Sequence, residues 1–317
     1  MADESVAPPI ALTPEEVGHM LEAWLEYPAE CLSLEHLTGG CVYNVFEVTF
    51  DGPGSPVVLK VAAEPGDEGL GREAQTLSYF AAHTGFPVPR ALHADLSGEA
   101  VPYSYVILER VPGVNLAEAV GFMTEADALR VEREMAEAVA DLHTHTRPAG
   151  FGWLHDPQPS RTWAEHFVGM ISGNIEANVP VGLLATEELQ GCRGLLPGLD
   201  RLLPRDVPPT LTHGDIWATN IMVASDGAEA HVSGFLDPGG LFADPEYDLA
   251  YLEIWRTVGE PFFEGYTAVH PLREGYQLRR LFYWLNTLLI HVWVFRTERY
   301  ARATRQLLSQ LSDAFGV

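Results

Sequence analysis

The 317-residue chain has little positive charge and is almost without lysine. Its 19 lysine and arginine residues stand against 44 aspartate and glutamate residues, so the formal net charge is −25. A charge of this sign and size argues against nucleic acid or an anionic membrane as a partner. Lys60 is the only lysine, and all the others in this basic group are arginine. The exception indicates a position where a compact ammonium is needed and a planar guanidinium would not serve.

Cysteine and long apolar runs are also scarce. The three cysteines are too few for a disulfide scaffold and show no metal-ligand spacing, which favours a reducing compartment. The sequence opens on acidic residues without an apolar segment, so we expect no secretory signal and a cytoplasmic protein. The strongly apolar run over 281–295 is shorter than the roughly 20 residues that a membrane-spanning helix needs. We predict a buried core helix there, and no membrane partner.

The N-terminal part of the sequence predicts a small lobe made of an antiparallel sheet and helices. Alternating apolar residues over 42–50 and 57–61, separated by a turn rich in glycine, predict a hairpin. Helical spacing follows over 70–80. An apolar strand over 103–111 ends at a Pro-Gly pair, so we place this lobe at residues 1–111.

The second lobe is predicted over 112–317 and is mainly helical. One amphipathic helix is expected from Thr124 to about His143, and another from Trp163 to Ile175. A connection rich in glycine and proline is expected to continue to Pro209. A second hairpin over 221–236 precedes further helices. Sheet and helices together predict the α+β class.

The segments Leu211–Asn220 and Gly234–Asp237 carry most of the recognisable chemistry. They contain His-Gly-Asp, an asparagine five residues after this aspartate, and a second aspartate after a short apolar strand. A carboxylate able to meet an attacking hydroxyl, with an asparagine and an aspartate able to share Mg²⁺, is the equipment of phosphoryl transfer. Taken alone, the His-Gly-Asp triplet is equally consistent with an ordinary turn.

Residues earlier in the chain fit the same chemistry when they are taken together. Gly39-Gly40 could bring backbone N–H groups onto phosphates, although such a pair before a strand is usually only a turn. Glu73 is either a solvated helix acid or a partner that holds the Lys60 ammonium toward α- and β-phosphates. The backbone of Glu109 and Val111 could meet an adenine edge. The fixed order of these elements favours a kinase-like protein.

His213-Gly214-Asp215 with Asn220 resembles the catalytic loop of the aminoglycoside phosphotransferase and protein-kinase-like superfamily. Within it, the chain from about Leu34 onward is most similar to the fructosamine (ketosamine) kinase family. The closer match is carried by these segments: His213–Trp217, Leu236–Pro238, Glu246–Ala250, Phe262–Tyr266 and Pro271–Gly275. The resemblance implies a protein-kinase-like, two-lobed fold, with a small N-terminal lobe of antiparallel sheet plus helix and a larger, mainly helical lobe.

The resemblance also implies which groups react and which bind the cofactors. Asp215 would orient the acceptor hydroxyl or accept its proton. Asn220 and Asp237 would hold the Mg²⁺ that bridges the phosphates of ATP. Lys60, positioned by Glu73, would bind the α- and β-phosphates.

Further positions are implied as supports. Gly39-Gly40 would cover the phosphates, and His213 and Asp248 would brace the catalytic loop. Trp217 would either wall a sugar pocket or pack beneath the loop. Cys41, where members of the family also carry cysteine, permits a disulfide-linked dimer as an alternative to a monomer.

The predicted function is an ATP- and Mg²⁺-dependent kinase that phosphorylates a hydroxyl of a sugar or amino-sugar, with a ketosamine favoured. An aminoglycoside-type antibiotic kinase is the alternative, and a nucleotide-binding pseudokinase scaffold is less favoured. A metal hydrolase would need a histidine-rich ligand set that the scattered histidines do not supply. Thr219, Pro245 and Gly239 depart from the family pattern near the acceptor side, so the acceptor stays open.

Overall fold

The computed structural model describes residues 8–37, 42–227 and 229–315. The chain forms two compact units. The first comprises the described residues up to Val131 together with Thr219–Pro238. The second comprises Glu132–Ala218 and the described residues from Gly239 onward. The region after residue 111, assigned to one lobe from the sequence, therefore contributes to both units.

The main feature of the first unit is a five-stranded antiparallel sheet. Its strands are β1 (Cys31–His36), β2 (Asn44–Phe50), β3 (Val57–Ala62), β4 (Ala91–Asp95) and β5 (Ser104–Glu109). Their spatial order is β1-β2-β3-β5-β4. β2 and β3 form the predicted hairpin, in which Val45 lies opposite Lys60. Along β2 every second side chain is buried, which is the pattern that the alternating sequence predicts.

Two helices pack against this sheet through side chains that alternate along β3. α1 (Pro14–Leu25) shares a hydrophobic cluster with Leu59. α2 (Glu68–His83) shares a second cluster with Ala62. Successive strand residues point to opposite faces, so Lys60 lies on the same face as Ala62 and α2. This placement brings the lysine next to a helix that carries acidic residues.

The first unit continues beyond the boundary predicted at residue 111. Its further elements are β6 (Val114–Asn115), α3 (Leu116–Ala119), the beginning of α4 (Glu125–Leu142), β9 (Ile221–Ser225) and β10 (Ala230–Phe235). β9 pairs with β6, and this contact draws the second hairpin into the first unit. The approach is close: Gly113 has φ +95°, and a Cβ atom there would lie 2.1 Å from the Val223 carbonyl oxygen.

The second unit is mainly helical. Its helices are the end of α4, α5 (Trp163–Asn178), α6 (Thr186–Leu195), α7 (Leu199–Leu202), α8 (Glu246–Ile254), α9 (Glu260–Val269), α10 (Tyr276–Phe295) and α11 (Glu298–Phe315). A small sheet contains β7 (Gly152–Trp153), β8 (Thr210–Thr212) and β11 (Leu241–Ala243), with β11 in the middle. Trp163 donates a hydrogen bond to the Tyr283 hydroxyl at 3.0 Å within the aromatic centre of the core.

α6 and α7 correct the prediction of an irregular connection up to Pro209. Leu189, Cys192 and Leu195 are buried at helical spacing and pack into the core of the second unit. Gly191 and Gly194, which favour a loop in the sequence, have open space where a side chain would lie. Neither glycine therefore requires a special backbone, and core packing outweighs their low helix propensity.

α10 is the buried core helix predicted from the apolar run over 281–295. Leu285, Leu289 and Val292 are buried in the core of the second unit. Among the described residues, no helix combines the length and the apolar composition needed to cross a membrane.

A buried ion-pair network fixes the start of α8. The Glu246 carboxylate accepts hydrogen bonds from Arg279 at 2.7 Å and from Arg273 at 3.1 Å. Asp244 pairs with Arg273 and accepts from the Tyr283 hydroxyl at 2.8 Å. Burial opposes ionisation of Glu246, but Arg279 and Arg273 outweigh it and lower its pKa. The network holds the first turn of α8 in place, and Asp248 in this turn binds the backbone of His213 and Gly214.

Candidate active site

The single lysine lies at the centre of a charged cluster in the first unit. Lys60 is carried by β3 between β2 and β5, and only 7% of its surface is exposed. Its Nζ donates to Glu73 Oε1 at 2.6 Å and to Asp237 Oδ1 at 2.5 Å. The structure thus brings together the predicted Lys60–Glu73 pair. It adds a direct contact with Asp237 that the sequence analysis does not predict.

Asp237 follows β10 and has a left-handed backbone with φ +57°. For a residue other than glycine this conformation costs about 1–2 kcal/mol, so the surrounding contacts must hold it. The residue before Asp237 is fixed by the hairpin. The Leu236 N–H donates to the Asn220 carbonyl at 2.7 Å, which continues the ladder beyond the Phe235–Ile221 pair. Asn220 is buried, and it lies at the same end of the hairpin as Asp237.

Two carboxylates share one ammonium in this cluster. Burial opposes the charge on Lys60, but Asp237 and Glu73 outweigh it and raise the pKa of the ammonium. Burial also raises the pKa of Glu73, although Lys60 counteracts it. Lys60 therefore stays charged at neutral pH. When both carboxylates are ionised the cluster has a net negative charge, which attracts a cation.

The donor atoms of the cluster suit a hard divalent cation. The Asn220 amide and the Asp237 carboxylate supply oxygen donors of the kind that Mg²⁺ prefers, and 44% of the Asp237 side chain is exposed. Mg²⁺ commonly takes only one or two protein ligands and completes its shell with water and substrate phosphates. Within the described ranges, no group of three His, Cys, Asp or Glu side chains could hold a metal ion. The ligand set of the hydrolase alternative is thus not found there.

Glu109 and Val111, predicted to meet an adenine edge, lie at the end of β5 and just beyond it. The Glu109 N–H donates to the Arg90 carbonyl at 2.9 Å, and its carboxylate pairs with the Arg90 guanidinium at 3.0 Å. The Val111 carbonyl accepts from the Arg110 guanidinium, which also pairs with Glu47. An adenine at this position would have to share or displace these partners.

Three predicted positions lie outside the described residues: Gly39, Gly40 and Cys41. The phosphate cover assigned to the two glycines therefore stays a prediction. The disulfide-linked dimer through Cys41 has no support from the structure.

In the second unit, β8 leads directly into the His213-Gly214-Asp215 loop. Gly214 has φ +82°, a left-handed conformation that favours glycine and turns the chain. Asp248, in the first turn of α8, accepts from the backbone N–H groups of His213 at 2.7 Å and Gly214 at 2.8 Å. The Gly239 N–H donates to the His213 carbonyl at 2.7 Å. Asp248 and His213 are both buried, and Asp248 fixes the loop through its backbone.

A buried histidine supports Asp248 from its other side. His143 follows α4, and its Nε2 lies 3.3 Å from the Asp248 carboxylate. Its Nδ1 lies 2.7 Å from the Tyr266 hydroxyl of α9. Burial, and then the charge of Asp248, raises the pKa of Tyr266, so the hydroxyl keeps its proton. Asp248, which binds the loop backbone, is therefore itself held by His143 and, through it, by Tyr266.

Asp215 is partly buried, and its Oδ1 accepts a hydrogen bond from the Tyr251 hydroxyl of α8. The Asp215 N–H donates to His213 Nδ1 at 3.2 Å. Burial, followed by the nearby Asp215 charge, raises the pKa of Tyr251 well above its usual value, so the phenol remains a donor. Tyr251 is not among the site residues predicted from the sequence. Its signal is the spacing of three residues from Asp248, which places both side chains on one helix face.

The comparison with known proteins decides the family. The sequence model of the fructosamine kinase family matches residues 14–314. The chain belongs to this family. The resemblance inferred from the catalytic loop and the C-terminal segments is therefore confirmed.

Relatives and solved structures agree with this assignment. A probable ketoamine kinase of Synechocystis is 28% identical over 186 residues, which cover 56% of this chain and 60% of the relative. The match thus spans less than two thirds of that relative's length. A candidate fructosamine-3-kinase from Haemophilus somnus has a TM-score of 0.75 at 20% identity, over 94% of this chain and 97% of that one.

A second solved structure has a similar fold. The aminoglycoside phosphotransferase APH(4)-Ia, in a ternary complex with AMP-PNP and hygromycin B, has a TM-score of 0.66 at 19% identity. The match covers 93% of this chain and 97% of that one. These likenesses confirm the predicted α+β, protein-kinase-like fold.

Two aromatic residues of this fructosamine kinase family member lie close to the His213-Gly214-Asp215 loop. Trp217 is partly exposed, and its ring centroid lies 6.3 Å from that of Trp255. A Cβ atom at Gly239, where the family pattern has alanine, would lie 3.0 Å from the Trp153 ring. The glycine therefore leaves room for Trp153, which is 45% exposed. This departure from the pattern changes the surface next to the loop.

Proposed function

We propose that the protein is an ATP-dependent small-molecule kinase. It transfers the γ-phosphate to a hydroxyl of a sugar or amino-sugar, with a ketosamine as the favoured acceptor. Membership of the fructosamine kinase family supports both ATP use and a sugar-derived acceptor. The observation that carries the proposal is the placement of the only lysine, which is buried and bonded to Glu73 and Asp237. An ammonium held in this way is what a kinase phosphate site requires.

The residues proposed to bind the nucleotide belong to the first unit. Lys60 binds the α- and β-phosphates through Nζ, and Glu73 keeps the ammonium in position. The flexible lysine stem allows Nζ to turn from a carboxylate toward a phosphate, which a rigid guanidinium fork does less well. Asn220 and Asp237 would hold Mg²⁺, and this ion would supply positive charge next to the phosphates. Asn220 precedes β9 and Asp237 follows β10, so both residues lie at the same end of this hairpin.

The residues proposed to act on the acceptor belong to the second unit. Asp215 orients the acceptor hydroxyl and takes its proton on a carboxylate oxygen. The hydroxyl oxygen forms a bond to the γ-phosphorus while the bond from this phosphorus to the β–γ bridging oxygen breaks, and ADP leaves. Asp248 keeps the loop backbone fixed during this transfer. Trp217 is proposed as a wall against which the apolar face of a sugar packs.

An ADP-release assay across ketosamines, aminoglycosides and simple sugars tests the proposal, with Asp215→Asn as a variant of matched size. We expect turnover on a ketosamine and a loss of roughly 10²–10⁴-fold in kcat in Asp215→Asn, with ATP binding retained in a thermal-shift titration. Turnover on aminoglycosides alone would mean that the acceptor is an aminoglycoside and not a ketosamine. ATP binding without turnover on any compound would favour the pseudokinase scaffold. Equal turnover of Asp215→Asn and wild type would refute the role of this carboxylate.

A further inference from the structure

Side chains on one face of α8 make successive contacts with the catalytic loop. Asp248 and Tyr251 are three residues apart in α8, and Trp255, which caps the helix in a helical conformation, is four residues beyond Tyr251, so the three side chains share this face. Asp248 binds the loop backbone, and the Trp255 ring lies 6.3 Å from Trp217. Between them, the Tyr251 hydroxyl donates to the Asp215 carboxylate. The contact in the middle of the face is thus made to the side chain that the proposed reaction uses.

The surroundings of Tyr251 hold its hydroxyl in a defined place. Tyr251 is 8% exposed, and its ring lies edge-on to Trp255 with centroids 6.1 Å apart. α8 cannot easily shift along the loop, because Asp248 accepts two backbone hydrogen bonds one turn earlier. A donor fixed on Oδ1 of Asp215 sets the rotation of the carboxylate, and with it the direction of Oδ2.

We propose that Tyr251 is a positioning residue for Asp215, whose hydroxyl holds Oδ1 so that Oδ2 faces the acceptor hydroxyl. The inference rests on the proposed function, because it assumes that Asp215 meets that hydroxyl. Tyr251 does not touch the acceptor in this arrangement and acts only through the aspartate. A hydrogen bond to an ionised carboxylate also favours its ionised form, so Tyr251 keeps Asp215 able to accept a proton in mildly acidic solution.

Tyr251→Phe tests the role because it keeps the ring and removes only the hydroxyl. We expect kcat to fall roughly tenfold with an unchanged KM for ATP, since a misplaced base affects the transfer step. We also expect the acid limb of the pH–kcat profile to move to higher pH. Tyr276→Phe is the matched control, because the Tyr276 hydroxyl donates to Glu253, another carboxylate of α8. The control should keep both kcat and the profile of the wild type.

A measurement without turnover separates this inference from the proposed function. In protein labelled with ¹³C-aspartate, the Asp215 carboxyl resonance is the one missing from the Asp215→Asn spectrum. We expect its titration midpoint to lie at higher pH in Tyr251→Phe than in the wild type and in Tyr276→Phe. This shift without turnover on any acceptor would refute the proposed kinase function and leave the hydrogen bond to Asp215 established. A midpoint and a pH profile identical to those of the wild type would overturn the inference, even if kcat falls.

Discussion

Replacing Lys60 with methionine removes one positive charge from between two carboxylates and keeps a side chain of similar length. The two carboxylates differ in their access to water. The Glu73 side chain is 16% exposed, whereas that of Asp237 is 44% exposed. The variant should therefore be destabilised chiefly by Glu73, whose charge would lose its nearest partner in a poorly hydrated place.

The size of this effect follows from the exposure of the two partners. Removing one member of a fully buried ion pair costs about 3–5 kcal/mol. Asp237 can regain hydration, and a surface pair is worth at most about 1 kcal/mol, so the full range does not apply. We expect Lys60→Met to lose about 2–3 kcal/mol of unfolding free energy. The double variant Lys60→Met/Glu73→Gln removes the unpaired charge as well, and should recover at least about 1 kcal/mol.

Urea unfolding followed in parallel by tryptophan fluorescence and circular dichroism measures these differences. Coincident curves from the two probes are needed, because a chain of two units can unfold in more than one step. Lys60→Arg keeps the charge and should be closer to the wild type in stability. For ATP, kcat/KM should fall by roughly 10²–10³-fold in all three variants, because each lacks the ammonium. If the double variant is no more stable than Lys60→Met, the unpaired Glu73 charge is not what destabilises Lys60→Met, and the explanation is wrong.

Three further predictions concern the scaffold. Gly113→Ala places a Cβ 2.1 Å from a backbone oxygen and should cost more than about 2 kcal/mol in urea unfolding. Gly66→Ala, also at positive φ but with nothing within 4 Å, should cost only about 1 kcal/mol, and equal losses would contradict the steric reason. Glu246→Gln should lose about 3 kcal/mol from its buried network, against less than about 1 kcal/mol for the exposed Glu176→Gln, measured in the same way. Burial lowers the pKa of His166 below its usual 6.5, so the unfolded chain binds more protons and stability falls as pH decreases below that value. In unfolding measured as a function of pH, His166→Asn should reduce the dependence of stability on pH between about pH 6.5 and 5. An unchanged dependence would mean that another group causes it.

Several features of this protein follow from local sequence pattern alone. The β2–β3 hairpin follows from the alternation of apolar residues, and the core helix α10 follows from its apolar run. The order of Lys60, His213-Gly214-Asp215 and Asn220 was sufficient to indicate a kinase-like protein, because these residue types are fixed by the chemistry of phosphoryl transfer.

Contacts between residues far apart in the chain depend instead on tertiary packing. Lys60 and Asp237 are 177 residues apart, and Tyr251 and Asp215 are 36 residues apart. No periodicity in the sequence encodes such pairs. They depend on where β10 ends, for Asp237, and on where α8 lies, for Tyr251, once the core has packed. The same holds for α6. Its glycines favour a loop in the sequence, but the helix forms because Cys192 and its apolar neighbours pack into the core. Local pattern sets the elements and the types of side chain, and packing at long range sets the geometry of the candidate site.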